Sequence, residues 1–248
     1  SQVQPGDTVS CIMTVSDPNG ITDTVSDSII VNNTPPVIDS LVIAPSAMFN
    51  DDTLTCDLSA SDLDDQTLAV DIQWSNNGNT IGTNQELTLF PSVAMPGDLV
   101  RCTVVVTDTS GASVSSFTEG TVLNRSPSLT TPILSSNSPT LGSTLTCSST
   151  GSDVDNDAVT VSYQWYLNSL SNSVVHTGAS LELLANGTPT SGQVLASVED
   201  DVYCVATATD ANGSTESKHS MVSIINTDPT ITSMSISPNT AYNDSTLV

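Results

Sequence analysis

Short runs in which apolar and hydroxyl-bearing residues alternate recur along the whole chain. Residues 102–107 and 202–209 are rich in β-branched side chains with a period of two, and residues 10–15 match them. Turn-forming residues interrupt such runs every ~8–12 residues, the spacing expected between short strands. The pattern therefore predicts an all-β chain of many short strands, and no helical stripe of apolar residues competes with it.

One motif, an Asn followed three residues later by a Pro, occurs three times at a fixed distance after a cysteine. The copies are Asn33 to Pro36, Asn124 to Pro127 and Asn226 to Pro229, so the steps between them are 91 and 102 residues. Cys11, Cys102 and Cys204 each stand 25 residues before the Pro of one copy. A repeat of about this length indicates an array of small tandem domains.

The period divides the chain into four segments. Residues 1–35 are expected to be the C-terminal part of one domain, 36–126 and 127–228 two complete domains, and 229–248 the N-terminal part of the next. Residues 243–247 repeat the pattern of residues 50–54, which lead into Cys56. We therefore expect the 248 residues to be a stretch of a longer chain that continues in both directions.

The odd total of five cysteines follows from the same register. Each complete domain holds two, which predicts the pairs Cys56 with Cys102 and Cys147 with Cys204. Cys11 matches the second cysteine of a domain, so its partner is expected outside this sequence; a free reactive thiol is the alternative. Disulfides persist in oxidising surroundings, so we expect an extracellular location, at a cell surface.

Composition restricts the classes of partner. The chain carries 27 acidic and 3 basic residues, a formal net charge of −24. Such a field repels nucleic acid and anionic membranes, so neither is expected as a partner. No apolar run reaches the ~20 residues that a helix needs to cross a bilayer, so no direct membrane contact is expected.

The order of cysteines and tryptophans resembles that of immunoglobulin-like domains. Trp74 follows Cys56 by 18 residues, and Trp165 follows Cys147 by 18 residues. The resemblance implies a cysteine on strand B, a tryptophan on strand C and a cysteine on strand F of a two-sheet sandwich. Val rather than Tyr stands two residues before each second cysteine, which favours the tandem Ig-like, PKD-like or cadherin-like repeats of long secreted prokaryotic proteins. The expected architecture is a beaded array of such sandwiches.

Acidic residues concentrate where this fold places its B–C and F–G loops, which meet at one end of the sandwich. The candidates are Asp62, Asp64, Asp65, Asp153, Asp155 and Asp157 in the B–C loops, and Asp17, Asp108 and Asp210 in the F–G loops. Converging carboxylates suit Ca²⁺, which prefers oxygen ligands. The alternative is that these residues form turns and cap their own backbone amides. The linker residues Asn33, Asn124 and Asn226 are expected within reach of the same loops.

The function expected from these features is structural and non-enzymatic. We expect the repeat region of an extracellular fibre, sheath or stalk, whose partners are copies of itself or the continuation of its own chain. A spacer stalk beneath an adhesin head and accessory modules of a secreted hydrolase stay open as alternatives. His176 and His219 lack a partner pattern for catalysis. Weak glycosylation motifs occur at Asn32, Asn124, Asn186, Asn212 and Asn243.

Overall fold

The computed structural model describes residues 3–64, 67–235, 237, 240, 242 and 243. Contacts divide the chain into two units. The first comprises residues 1–125 with 154–157, and the second comprises 126–153 with 158–248. Nine residues of the predicted segment 229–248 lie outside the described residues, including four of the five positions in the 243–247 motif. Among the described residues, no helix is long and apolar enough to span a membrane.

The first unit opens with a two-stranded hairpin and continues as a sandwich. The hairpin strands are β1 (Thr8–Ser16) and β2 (Thr22–Ile30). The sandwich strands are β3 (Val37–Ala44), β4 (Thr53–Ser61), β5 (Ala69–Asn76), β6 (Asn79–Gly82), β7 (Glu86–Thr88), β8 (Leu99–Thr107) and β9 (Ser113–Thr121).

Strand order in this sandwich follows an immunoglobulin-like plan. One sheet has the order β3-β4-β7 and the other β6-β5-β8-β9, with antiparallel neighbours throughout. These are strands A, B and E on one side and C′, C, F and G on the other. A parallel bridge from Met48 to Val122 brings the chain after strand A against the end of strand G.

The second unit repeats the plan and includes several strands of only two or three residues. They are β10 (Ser128–Leu129), β11 (Ile133–Leu134), β12 (Thr144–Ser148), β13 (Gly151–Ser152), β14 (Thr160–Leu167), β15 (His176–Thr177), β16 (Ser180–Leu184), β17 (Gln193–Leu195), β18 (Asp201–Thr209) and β19 (Thr215–Ser223). The sheets have the orders β11-β12-β16-β17 and β15-β14-β18-β19, and β10 pairs with β13.

A tryptophan and a disulfide form the centre of each core. Trp74 is fully buried with Cys56 and Cys102, and Trp165 is fully buried beside Cys147 and Cys204. Each indole N–H donates to a carbonyl, that of Asn84 or Gly178, at 2.8 Å. The buried polar group is thereby satisfied, so the ring contributes its apolar area without a desolvation penalty.

The chain thus consists of tandem immunoglobulin-like β-sandwiches. Alternation along the F strands is the local cause: Val100, Cys102, Val104 and Val106 are fully buried, while the residues between them are half-buried or exposed. A strand with this period has one face for the core and one for solvent.

Candidate functional site

Both complete sandwiches carry a disulfide between their two sheets. Cys56 on β4 is bonded to Cys102 on β8 with the Cα atoms 6.3 Å apart, and Cys147 on β12 is bonded to Cys204 on β18 at 6.5 Å. Cys11 on β1 is a free thiol and is exposed. Each bridge therefore connects strand B to strand F within one sandwich.

The F–G aspartates organise their own turns. In each copy the carboxylate accepts the N–H of the residue four positions on: Asp17 from Ile21, Asp108 from Ala112, and Asp210 from Ser214. Asp17 and Asp210 also accept the N–H of the residue two positions on. These bonds are those of a side chain that closes a turn on itself, so this part of the acidic pattern has a structural cause.

Asp108 also binds the linker that precedes its sandwich. Asn33 donates from Nδ2 to Asp108 Oδ2 at 2.8 Å, and Asp108 is only 5% exposed. The hydrogen bond from Asn33 lowers the pKa of Asp108, helped by backbone N–H groups of the turn and opposed by burial. The linker therefore stabilises the ionised carboxylate.

The first B–C loop holds the next linker residue. Asp64 Oδ2 accepts the backbone N–H of Thr34 at 2.6 Å, and Asp62 Oδ1 accepts the N–H of Asp64 at 2.7 Å. Asp62 Oδ2 is buried without a hydrogen-bond partner, and Asp65 lies outside the described residues. Asn33 and Thr34 are thus both bonded to acidic loops of the sandwich that follows them.

The second B–C loop makes the same backbone bond and adds a charge. Asp155, which is fully buried, accepts the backbone N–H of Arg125 at Oδ2, 2.6 Å away. Its Oδ1 accepts from Arg125 Nε at 2.8 Å, and its backbone carbonyl accepts from Asn50 Nδ2 at 2.7 Å. All of these residues belong to the first unit.

The Arg125 guanidinium connects Asp155 to the turn before β4. It donates to Asp51 at 2.9 Å and to Asn50 Oδ1 at 3.1 Å, and it lies 4.8 Å from the centre of the Phe49 ring. The hydrogen bond to Asp51 is the largest cause that raises the pKa of Arg125, with Asp155 adding to it against burial. In a chain of net charge −24, one of three basic residues is committed to this network.

Three B–C carboxylates converge in the second loop. Asp153, Asp155 and Asp157 each offer an oxygen, and these oxygens lie within 4.8 Å of one another. In the described part of the chain, no other three acidic, histidine or cysteine side chains are so arranged. The eight acidic candidates among the described residues therefore include turn formers, linker acceptors and one trio.

Sequence reasoning did not identify Asn50, Asp51 and Arg125 as site residues. Arg125 had a signal, because it is one of three basic residues and lies within the linker motif. Asn50 had none, because its partner is 105 residues away. Of the glycosylation candidates, Asn32, Asn186, Asn212 and Asn243 are exposed, whereas Asn124 is half-buried.

Comparison with known proteins gives only distant structural similarity. No family model matches the chain, and no curated protein matches it significantly. Fibronectin(III)-like modules of Clostridium thermocellum CbhA are 14% identical, with a TM-score of 0.28, covering 77% of this chain and 94% of theirs. The N-terminal domains of the bacteriophage RB49 outer capsid protein Hoc are 14% identical, with a TM-score of 0.27 and 90% coverage of both chains.

Cadherin domains are also among the similar structures. Mouse protocadherin-24 EC1-3 is 16% identical, with a TM-score of 0.29, covering 89% of this chain and 80% of that one. At TM-scores this low, the similarities support no inference about function. The class of fold, tandem immunoglobulin-like sandwiches, rests on the strand order and disulfides described above.

Proposed function

We propose that this chain is a structural repeat region of an extracellular fibre, sheath or stalk, built from Ig-like repeats of the PKD-like or cadherin-like kind. The observation that carries the proposal is the recurrent bond between linker and acidic loop. Thr34 N–H is held by Asp64, and Arg125 N–H is held by Asp155. A linker tied at its backbone loses the freedom that makes an unstructured connection compliant.

The disulfides support a load-bearing role in an oxidising medium. They close loops of 46 and 57 residues, each of which should stabilise its sandwich by roughly 4 kcal/mol on the chain-entropy account. Under tension, a bridge between strands B and F keeps the residues between them from extending. The acidic surface keeps such an array soluble. The chain has no catalytic role in this proposal; partners are copies of itself or further repeats of its own chain.

Calcium binding is the second part of the proposal, at Asp153, Asp155 and Asp157. Their oxygens lie within 4.8 Å of one another, so a single ion with Ca–O distances of about 2.4 Å could contact all three. Both carboxylate oxygens of Asp155 already accept from Arg125. The positive charge beside Asp155 can therefore come either from Arg125 or from a bound divalent ion. Bound Ca²⁺ would also neutralise the carboxylates of Asp153 and Asp157.

Calcium titration of the melting temperature tests that part. Because an ion that binds only the folded state stabilises it by mass action, added Ca²⁺ should raise the melting temperature, and EDTA should reverse the rise. Arg125→Thr should increase the response, since it removes the competing guanidinium. Magnesium serves as the control for general screening. Equal responses to both ions at equal ionic strength would leave the acidic loop as a turn and linker acceptor.

Single-molecule stretching tests the load-bearing role. With its disulfide intact, each sandwich should release only the residues outside the closed loop. Reduction should lengthen the two unfolding steps by about 160 Å and about 200 Å, for 46 and 57 residues at ~3.6 Å each. Steps that do not change on reduction would contradict the proposal. Rapid alkylation of native material should also find Cys56, Cys102, Cys147 and Cys204 oxidised, as the proposed location requires.

A further inference from the structure

The hairpin β1–β2 has the conformation of an F–G hairpin. Nine residue pairs join its strands, as nine join β8 with β9 and β18 with β19. The turn before its first strand is also the same in all three copies: an N–H donates to the carbonyl at the end of the second strand. The three bonds are Gly6 to Val31, Gly97 to Val122, and Glu199 to Ile224.

In all three copies, one residue of that turn has a positive φ, although only two of the copies have glycine there. Gly6 and Gly97 have φ near +90°, where glycine is at ease, but Glu199 adopts φ +71° at the equivalent position. An aspartate follows each of these residues and caps the turn by accepting an N–H three positions earlier. The caps are Asp7 with Gln4, Asp98 with Met95, and Asp200 with Ser197. The equivalence is therefore one of conformation as well as spacing.

Burial is where the first hairpin differs. Val9, Met13 and Val15 are 44%, 60% and 56% exposed. Their equivalents on β8, namely Val100, Val104 and Val106, are fully buried, as are Val202, Ala206 and Ala208 on β18. On β8, Val100 and Val104 pack in the core that contains Leu54 and Cys56 of β4 and Trp74 of β5.

The hairpin is built to be covered on this face. Antiparallel register places Ile29 opposite Val9 and Val25 opposite Met13, so five apolar side chains share one side. The other side carries mainly hydroxyl residues: Ser10, Thr14, Ser16, Thr24, Ser26 and Ser28. A two-stranded hairpin alone is marginally stable in water, and such a face is ordinarily the inner face of a sandwich.

Cys11 lies in the middle of the apolar face. Its equivalents, Cys102 and Cys204, are bonded to strand B cysteines of their sandwiches. The thiol therefore stands where a strand B cysteine reaches in the other two copies.

We propose that the face formed by Val9, Cys11, Met13, Val15, Val25 and Ile29 is an interaction surface for a half-sandwich of this repeat type. The partner is a segment built like residues 36–95: strands A, B, C, C′ and E, with a strand B cysteine that bonds Cys11 and a strand C tryptophan that packs on the bridge. Asp23 also stands where Glu216 accepts the backbone N–H of Leu129. It is placed to accept from strand A of that partner.

An extended chain tests the proposal directly. Residues 36–95 are placed before Pro5, so that the Pro5-Gly6-Asp7 turn takes the place of Pro96-Gly97-Asp98. In the 248-residue chain, Cys11 should react with a thiol reagent at the rate of an exposed thiol. In the extended chain it should be disulfide-bonded to the added copy of Cys56, and the amides of Met13 and Val15 should exchange at least tenfold more slowly.

A matched variant separates covering from crosslinking. The same extension with Ser at the copy of Cys56 should leave one thiol per chain that reacts fully after denaturation and at least tenfold more slowly before it. If Cys11 reacts in both extended chains as it does in the 248-residue chain, the proposal is wrong.

A second arm does not depend on folding of the fusion. The 248-residue chain is mixed in a glutathione buffer with the separate polypeptide 36–95 or with a scrambled sequence of the same composition. The proposal requires a mixed disulfide between Cys11 and Cys56, several times more abundant with the native order. Equal yields, or a Cys11–Cys11 dimer that outcompetes the mixed disulfide, would overturn it, the latter in favour of a second copy as the occupant.

Discussion

The two B–C loops use one device with different reinforcement. Asp64 holds the N–H of Thr34, and Asp155 holds the N–H of Arg125, in both cases at 2.6 Å. Only the second loop receives a cation, because Arg125 stands where the first linker has Thr34. The backbone bond is common to both loops, and any linker residue except proline can donate it. The guanidinium of Arg125 adds further bonds in the second loop only.

The difference also shows what buries an acidic residue. Asp155 is fully buried, whereas Asp64 remains partly exposed. A carboxylate loses its hydration on burial and needs compensating charge and hydrogen bonds. Arg125 and its backbone N–H provide both to Asp155, while Asp64 receives one N–H from the linker and keeps contact with water.

Replacing the two acceptors, Asp155 and Asp64, by Ala should give the largest difference in stability between the two loops. Asp155→Ala should destabilise the first unit by about 2–3 kcal/mol, because it removes the buried carboxylate that accepts both the backbone N–H and the guanidinium of the partly buried Arg125. Asp64→Ala should cost about 1 kcal/mol, the contribution of one hydrogen bond to a partly exposed carboxylate. Urea unfolding followed by tryptophan fluorescence measures both.

The exposed Asp57→Ala is the control for charge alone, and it should change stability by less than about 0.5 kcal/mol. If Asp64→Ala costs as much as Asp155→Ala, the added cation contributes nothing and the distinction between the two loops is lost.

Exchanging the linker residues should separate the contribution of the guanidinium from that of the backbone N–H bond, with a smaller change in stability. Arg125→Thr keeps the backbone N–H bond and removes the guanidinium, so it should cost about 1–2 kcal/mol. The reciprocal Thr34→Arg should be nearly neutral in unfolding experiments. Equal losses in the two variants would mean that the linker position, and not the network around Asp155, determines the cost.

The pH dependence of the Asn33 bond should be the smallest effect. The pKa of Asp108 is lowered below its ordinary 3.8 chiefly by Asn33, so the bond stabilises the fold when pH is above that value. The stabilisation is lost as pH falls through the lowered pKa of the folded state. Asn33→Ala should therefore lower the melting temperature at pH 7, and the difference from wild type should shrink below pH 3.8.

Asn32→Ala serves as the neighbouring control for this measurement, since Asn32 is exposed. A difference between wild type and Asn33→Ala that persists unchanged at low pH would show that Asn33 acts through something other than the ionised Asp108.

Much of the fold was predictable because its causes are local. Period-two alternation on β1, β8 and β18 is visible in the sequence, and the repeat register places each Cys and Trp. Short strands such as β15 were not predictable, because two residues cannot display a period. Their pairing depends on the strand already in place beside them.

The site was predictable only in part, for a similar reason. Loop aspartates and linker asparagines can be identified from residue type and spacing. Whether a carboxylate binds its own turn or a linker, however, depends on which N–H lies within about 3 Å of it in the folded chain. Asp17 and Asp64 were both predicted as candidate ligands of a cation, yet the first closes a turn and the second holds Thr34. Asn50 and Asp155 are brought together only by the fold.

Hydrogen exchange at the two linker amides tests the central claim, that each linker is held by an acidic loop, most directly. In wild type, the amides of Thr34 and Arg125 should both exchange slowly, as hydrogen-bonded groups do. Asp64→Ala should speed exchange at Thr34 and leave Arg125 protected, and Asp155→Ala should do the reverse. Rapid exchange at both amides in wild type, at the rate of a free peptide, would contradict the account.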